Sequence, residues 1–202
     1  MKRLLITLVA VLAAGTAAFS QTKGQTEFGV GVGLNLATVV VDETNQNAGT
    51  RAGLNVGLSA DHYFSDSWSL KVKALFDQKG WSKGYLTIGT STTYTPYQLN
   101  YITVPVMANW HFGRTKGWYL NFGPYVSVLV SAKTTANNFD VKPFFNDVDA
   151  GLALGIGYKF PVADKTKFFV EFAGQGGIAD ISTANNAVYR NSLSAFNIGL
   201  NF

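Results

Sequence analysis

Residues 28–36 read FGVGVGLNL, so large apolar residues alternate with Gly and Asn. Because successive side chains of a β-strand point to opposite faces, this period-two pattern predicts a strand with one apolar and one polar face. Phe28, Val30 and Val32 begin the apolar face. The glycine run does not fit a nucleotide-binding loop, since its spacing is wrong and no helix follows it.

The same alternation returns seven times in the rest of the chain, which predicts eight strands. Asp, Glu, Lys and Arg are absent from the apolar faces, whereas the opposite faces carry charges. In four exceptions an apolar residue falls on the mostly polar face: Leu75, Met107, Leu129 and Phe169. The predicted strands lie within residues 26–41, 54–61, 68–77, 101–110, 118–130, 149–159, 168–175 and 196–202.

Residues 1–20 are interpreted as a cleavable secretory signal peptide. Lys2 and Arg3 precede an apolar run, and small residues occupy positions 18 and 20, so we expect cleavage after Ser20. The run is too short to span the roughly 30 Å of membrane hydrocarbon. The mature domain is then residues 21–202. Loss of Lys2 and Arg3 lowers the net charge from +4 to +2, so the basic balance belongs partly to the signal peptide and does not point to a nucleic-acid partner.

The composition excludes several kinds of site. The 202 residues contain no Cys, which rules out a disulfide scaffold and a Cys-based zinc centre, and only two His. Basic residues are not interleaved with aromatic ones as in nucleic-acid-binding proteins. We therefore expect no metal, no cofactor and no nucleic acid.

The alternation leaves open which face points inward. A soluble lipocalin-like barrel encloses its apolar face, whereas an outer-membrane barrel turns that face toward lipid. The membrane version is favoured because the polar face is rich in small residues, which suit a narrow lumen. It is also favoured because short and long connections alternate, as in bacterial outer-membrane barrels. The short ones are residues 65–67, 113–117 and 161–166, and the long ones are residues 42–50, 79–96, 133–146 and 177–192.

Aromatic residues gather at the strand ends near the short turns. Amphipathic rings of this kind form the girdle where a membrane barrel meets the lipid headgroups. We therefore predict an all-β, eight-stranded, antiparallel, up-and-down transmembrane β-barrel with both termini on the periplasmic side. The predicted periplasmic-side girdle consists of Phe64, Trp68, Trp110, Phe112, Trp118, Phe160, Phe168 and Phe202.

The charges of the polar faces are predicted to form a structural network inside the lumen. An eight-stranded barrel is just wide enough for its interior side chains to fill it, and an isolated charge there is costly. The turn after Phe64 sets Asp61 opposite Lys71, and the turn of residues 161–166 sets Glu171 diagonal to Lys159. The predicted network comprises Asp61, Lys71, Lys73, Lys159 and Glu171.

Pro105 and Pro124 interrupt two predicted strands that the intervening turn brings nearly opposite each other. Proline removes a hydrogen bond from the ladder, and a closed barrel has no free edge to accommodate it. We therefore predict a β-bulge at this place.

Neither histidine indicates an enzyme. A hydrolase needs a nucleophile beside a histidine base. His62 falls on the apolar face and His111 on the lumen face opposite Tyr119, and no serine is convincingly placed beside either. Asp147 and Asp149 lie at the base of a long loop, where we expect a solvated loop end in preference to a weak cation site.

Three segments carry a family resemblance: residues 101–106 (YITVPV), 123–127 (GPYVS) and 151–158 (GLALGIGY). With the terminal Phe202, they resemble the PorT-like outer-membrane beta-barrel family, in the architectural class of OmpA- and OmpX-type barrels. The resemblance implies a bacterial outer-membrane location. It also implies recognition of the C-terminal aromatic residue by the barrel insertion machinery, and, from some relatives, an association with protein secretion.

The sequence thus predicts a non-enzymatic outer-membrane protein whose long loops serve surface interaction, envelope structure or an accessory role in protein secretion. Outer-membrane lipid, the insertion machinery and an envelope or secretion protein are the expected partners. The segment 79–96, with Tyr85, Tyr94 and nearby Tyr97, is the predicted contact surface. A porin-like channel for small solutes and a soluble lipocalin-like binding protein remain the alternatives.

Overall fold

The computed structural model describes residues 23–41, 48–88, 90–184 and 187–202. The predicted signal peptide lies outside these residues. The described chain forms one 3₁₀ helix, Lys142–Phe144, and the following strands: β1 (Thr26–Val41), β2 (Arg51–Tyr63), β3 (Trp68–Ile88), β4 (Ser91–Phe112), β5 (Trp118–Thr134), β6 (Val148–Pro161), β7 (Lys167–Gly177) and β8 (Tyr189–Asn201). No helix within the described ranges is long and apolar enough to cross a membrane.

The eight strands form a closed antiparallel barrel in chain order. Each strand pairs with the next, and β1 closes the ring by pairing with β8 from Gly29↔Asn201 to Val41↔Tyr189. Closure leaves no sheet edge with unpaired backbone groups, which is what allows a β-structure to lie in lipid. The predicted eight-stranded, up-and-down architecture is confirmed.

The apolar faces point outward. Val30, Val56 and Leu154 are 38%, 48% and 56% exposed, whereas Asp61 and Glu171 are 0% exposed. A continuous apolar band of this extent is not stable against water, but it matches the lipid-facing surface of a membrane barrel. The lipocalin-like alternative, which needs these side chains inside, is therefore wrong.

The connection predicted for residues 79–96 is not a loop. β3 and β4 continue to Ile88 and from Ser91, and they pair as far as Ile88↔Ser91, so the segment is a tall β-hairpin above the barrel wall. A register irregularity between Trp81 and Gly84 marks where the hairpin leaves the wall. We call this end the long-loop end and the opposite one the short-turn end.

The prediction of a bulge at the two prolines is also wrong. Pro105 pairs with Tyr125, and the register between β4 and β5 is the same on both sides of the prolines. The register shift lies instead between Asn100 and Tyr101. Pairing lapses for two residues after Pro105 because Pro124 has no N–H to donate, but the flanking pairs hold the alignment.

Candidate functional site

The lumen at the short-turn end is organised around Lys159. Its Nζ donates to Asp61 Oδ2 at 3.2 Å and to Tyr63 Oη at 3.0 Å, and it also pairs with Glu27. Lys167 Nζ donates to the other Glu27 oxygen at 2.7 Å. Asp61 and Lys159 are almost completely buried, so this layer holds two carboxylates and two ammonium groups in compensating contact.

A second charged layer surrounds Glu171. Its carboxylate accepts from Lys73 Nζ at 2.5 Å and from Asn121 Nδ2 at 3.0 Å. Lys71 Nζ lies 3.8 Å from Glu171 Oε2 and 4.7 Å from the centre of the Tyr119 ring. The aromatic face adds a cation–π contact to the ion pair, so Lys71 is stabilised without reaching water.

A third layer lies nearer the long-loop end. Lys79 Nζ donates to Asp149 Oδ2 at 2.9 Å, and its ammonium lies 4.6 Å from the centre of the Tyr125 ring. Tyr125 Oη and Asn191 Nδ2 also donate to the Asp149 carboxylate. The three layers occupy successive heights of the lumen. Asn109 of β4 donates to Asp61 at 2.8 Å, so the layers join all eight strands.

The structure brings the five predicted network residues into the two lower layers, but with other partners. Asp61 lies opposite Lys71 in the β2–β3 register, yet its ion pair is with Lys159. Glu171 pairs with Lys73 and Lys71, not with Lys159. Lysine side chains reach across the lumen, so strand register alone does not determine their partners.

The predicted network left out four charged residues of these layers: Glu27, Lys79, Asp149 and Lys167. Of these, Asp149 falls on a polar face of the predicted strands. Lys79 was placed in a loop, and Asp149 was expected in a solvated loop end with Asp147. Both are buried, whereas Asp147 is exposed and pairs with Lys142 at 3.3 Å. The period of two contained the signal, because Lys79 continues the series of Lys71, Lys73 and Asp77.

A serine does lie beside His111, contrary to the prediction. Ser69 Oγ is 3.0 Å and Asp61 Oδ2 is 3.8 Å from the same ring nitrogen, Nε2. A hydrolytic triad requires the carboxylate on the other nitrogen, and His111 Nδ1 has no hydrogen-bond partner in the described part of the chain. His62 is exposed on the outer face, where its Nδ1 lies 2.9 Å from Thr26 Oγ1. Neither histidine is arranged for nucleophilic catalysis.

The lumen is filled by side chains packed against glycines. Phe169, one of the apolar exceptions on the polar face, is buried. A Cβ on Gly31 would lie 2.9 Å from the end of the Phe169 ring. Glycine on β1 thus makes room for an aromatic ring from β7, two strands away around the ring. Among the described residues, no group of three or more His, Asp or Glu side chains is arranged to hold a metal ion.

Above the charged layers, the long-loop end contains an aromatic chamber of about 590 Å³. Trp81 and Tyr97 stack with their ring centres 4.8 Å apart, and Phe145 meets both rings edge-on. Tyr189 completes the group, 6.4 Å from Trp81. The floor is closed by a buried apolar cluster: Leu99, Tyr101, Leu129, Val141 and Ile181. Sequence reasoning missed this chamber, because its walls come from four separate segments.

The predicted girdle residues lie around the short-turn end, and six of the eight are exposed, with Phe112 and Phe168 half-buried. Their rings form a nearly continuous belt in the order Trp68, Trp110, Phe112, Trp118, Tyr158, Phe160 and Phe168, with neighbouring ring centres 4.6–6.3 Å apart. Tyr158 is an addition to the predicted set. Phe64 and Phe202 stand beside this belt, both about half exposed.

Comparison with known families decides the identity of the fold. The sequence profile of the outer membrane protein beta-barrel domain family matches residues 19–183. The chain belongs to this family. As an outer-membrane β-barrel, it resides in the bacterial outer membrane, and its apolar band contacts outer-membrane lipid.

Solved structures of other outer-membrane proteins share the barrel fold. The outer membrane protein OprG from Pseudomonas aeruginosa is 13% identical, with a TM-score of 0.54, over 91% of this chain and 98% of that one. The Neisserial surface protein A is 17% identical, with a TM-score of 0.50, over 86% of this chain and 95% of that one. At these identities the likeness concerns the barrel fold alone. No curated protein matches this sequence.

Proposed function

We propose that this outer-membrane β-barrel is a non-enzymatic surface protein that binds its partners at the long-loop end and does not conduct solutes. The observation that carries the proposal is the succession of three ion-paired layers across the lumen. Lys71, Lys79 and Lys159 are each at most 2% exposed, and each contacts a carboxylate that is itself buried. A solute path would expose these groups to water.

The space left inside the barrel supports the same proposal. The internal cavity beside Lys73, Glu171 and Asp77 measures about 50 Å³. That volume accommodates a few water molecules, each of which needs roughly 10–15 Å³ of such space, but no hydrated solute. An eight-stranded barrel has no further width from which to form a pore.

The long-loop end supplies the surface for interaction. In outer-membrane barrels the longer loops are extracellular and the short turns periplasmic, so the β3–β4 hairpin projects from the cell. Tyr85 and Tyr94 pair across this hairpin with ring centres 5.5 Å apart, and they are 65% and 52% exposed. Exposed tyrosines on a rigid support are typical of protein-binding surfaces.

The non-enzymatic part of the proposal is supported by the buried geometry of Ser69, His111 and Asp61, which have no access for a substrate. The PorT-like resemblance, the accessory role in protein secretion and the envelope protein as partner remain predictions. Recognition of Phe202 by the insertion machinery is likewise a prediction, supported by the exposure of this residue at the barrel's end.

Planar-bilayer recording of the purified full chain tests the proposal. We expect no steady current from the natural protein. A variant with Lys71→Ala, Tyr119→Ala and Phe169→Ala removes the filling of the middle layer and is expected to conduct, which controls for insertion. A steady, ion-selective current through the natural protein would refute the proposal and favour the small-solute channel.

A further inference from the structure

We propose that the aromatic chamber binds a small aromatic molecule that carries one negative charge, such as an aromatic carboxylate. This inference deepens the proposed function, on which it rests, by assigning a ligand class to the long-loop end. It stands on the juxtaposition of Trp81, Tyr97, Phe145 and Tyr189 around one open cavity, with Lys83 among its lining residues.

The size and lining of the chamber fit a small molecule. Its volume of about 590 Å³ lies within the range of roughly 300–1,000 Å³ that is usual for ligand sites. The stacked and edge-on rings leave aromatic faces and edges at the walls, and another ring pairs well with both arrangements. An empty chamber holds water against these walls, so a flat apolar ligand gains by displacing it.

The walls are held in place before any ligand arrives. Trp81 is bridged to Thr50 by backbone pairing, and Lys83 N–H donates to the Ala48 carbonyl at 2.7 Å. Tyr97 Oη donates to the Tyr85 carbonyl at 2.8 Å. On the opposite side Phe145 is bridged to Ser182. A preformed site loses little entropy on binding, which favours even a small ligand.

The charge of the chamber selects the sign of the ligand. Among the described residues that line it, Lys83 is the single charged side chain, and no carboxylate is present. The Asp180 carboxylate lies beside the wall and accepts from the Ser182 and Tyr189 N–H groups at 3.0 and 2.9 Å, but Asp180 is not among the lining residues. Lys83 therefore offers an anionic ligand a counter-charge at the chamber, whereas Asp180 is already engaged by two backbone N–H groups.

Quenching of Trp81 fluorescence measures the binding. The chain has four tryptophans, and replacing Trp68, Trp110 and Trp118 by Phe leaves Trp81 as the single emitter. The full chain is placed in phosphatidylcholine nanodiscs, which avoids detergent in the chamber. The probes are 4-bromobenzoate, its uncharged analogue 4-bromobenzamide and the cation 4-bromobenzylammonium. We expect saturable quenching by 4-bromobenzoate with a Kd below about 1 mM.

Two variants test the components of the site. Lys83→Met is expected to lower the affinity for 4-bromobenzoate by about fivefold to tenfold. The same variant is expected to change the affinity for 4-bromobenzamide by less than about twofold. Ser182→Phe fills the chamber and is expected to abolish saturable quenching by both probes. The matched control is Lys133→Met, which removes an exposed lysine of the same end that does not line the chamber, and it is expected to change nothing.

A Trp118-only protein controls for probe dissolved in lipid, and heat-dependent gel migration shows that each variant is folded. If quenching of Trp81 is linear in probe concentration and no stronger than quenching of Trp118, the proposed binding site is refuted. Equal affinity for the cationic and anionic probes, or no effect of Lys83→Met, would overturn the anionic assignment. Either result is independent of the bilayer recording. The proposed surface function is therefore tested by the recording, whatever the quenching experiment shows.

Discussion

Replacement of Glu171 by Gln lowers the free energy of unfolding by about 3–5 kcal/mol, because it removes the shared counter-charge of two lysines in the lumen. Lys71 is 1% exposed and Lys73 is bonded to Glu171 at 2.5 Å. Glutamine keeps the size but only one of the two oxygens that accept from Lys73 and Asn121, so the loss combines the charge with one hydrogen bond. Urea unfolding in lipid vesicles, followed by tryptophan fluorescence, measures the change.

Two further variants separate this effect from a general perturbation. Asp66→Asn alters an exposed acid in a short turn and is expected to change stability by less than about 0.5 kcal/mol. Adding Lys71→Met to Glu171→Gln is expected to recover about 1 kcal/mol or more, because it removes the uncompensated cation. If Glu171→Gln costs no more than Asp66→Asn, the charged layer does not stabilise the barrel.

Lys159→Met is the second large effect, with an expected loss of about 3–5 kcal/mol. It leaves the Asp61 carboxylate buried, with a remaining hydrogen bond from Asn109 Nδ2 at 2.8 Å. Glu27 does not lose its counter-charge, because Lys167 still donates to it. The same unfolding measurement in vesicles applies, and Met preserves most of the length of the side chain.

Lys167→Met is the matched control, since it removes the other lysine that contacts Glu27. Its side chain is 21% exposed and Glu27 retains Lys159, so we expect a loss of about 1 kcal/mol or less. In the Lys159→Met background, Asp61→Asn is expected to restore stability in part. Equal losses from Lys159→Met and Lys167→Met would show that the buried ion pair of Lys159 with Asp61 adds no more stability than the partly exposed contact of Lys167 with Glu27.

The barrel could be predicted from the sequence because the two faces of each strand meet two different environments. In β1, β2 and the lower part of β3, lipid-facing positions are apolar and lumen positions are small or charged, so the period of two specifies the strand and its orientation together. Beyond Trp81 this contrast between the two faces ends. In the hairpin, Thr92, Thr93 and Thr95 put polar residues on both faces of β4, so this part of the sequence resembled a loop.

The charged layers and the chamber depend on distances that a linear pattern does not contain. Lys159 and Asp61 are 98 positions apart and meet only because the ring closes. Trp81, Phe145 and Tyr189 come from three different segments and meet above the lumen. Which side chains face inward was predictable residue by residue. Which of them touch was not, because flexible lysines and large rings cross the barrel.

The central claim is that apolar side chains face lipid and charged ones face the lumen. Nitroxide labels on single cysteines along β2 test it directly, since the natural chain contains no Cys. At Leu54, Val56 and Leu58 we predict frequent collisions with oxygen, which dissolves in lipid, and few with a water-soluble nickel complex. At Asn55 and Ser59 we predict few collisions with either. Strong nickel accessibility at Leu54, Val56 and Leu58 would contradict the account.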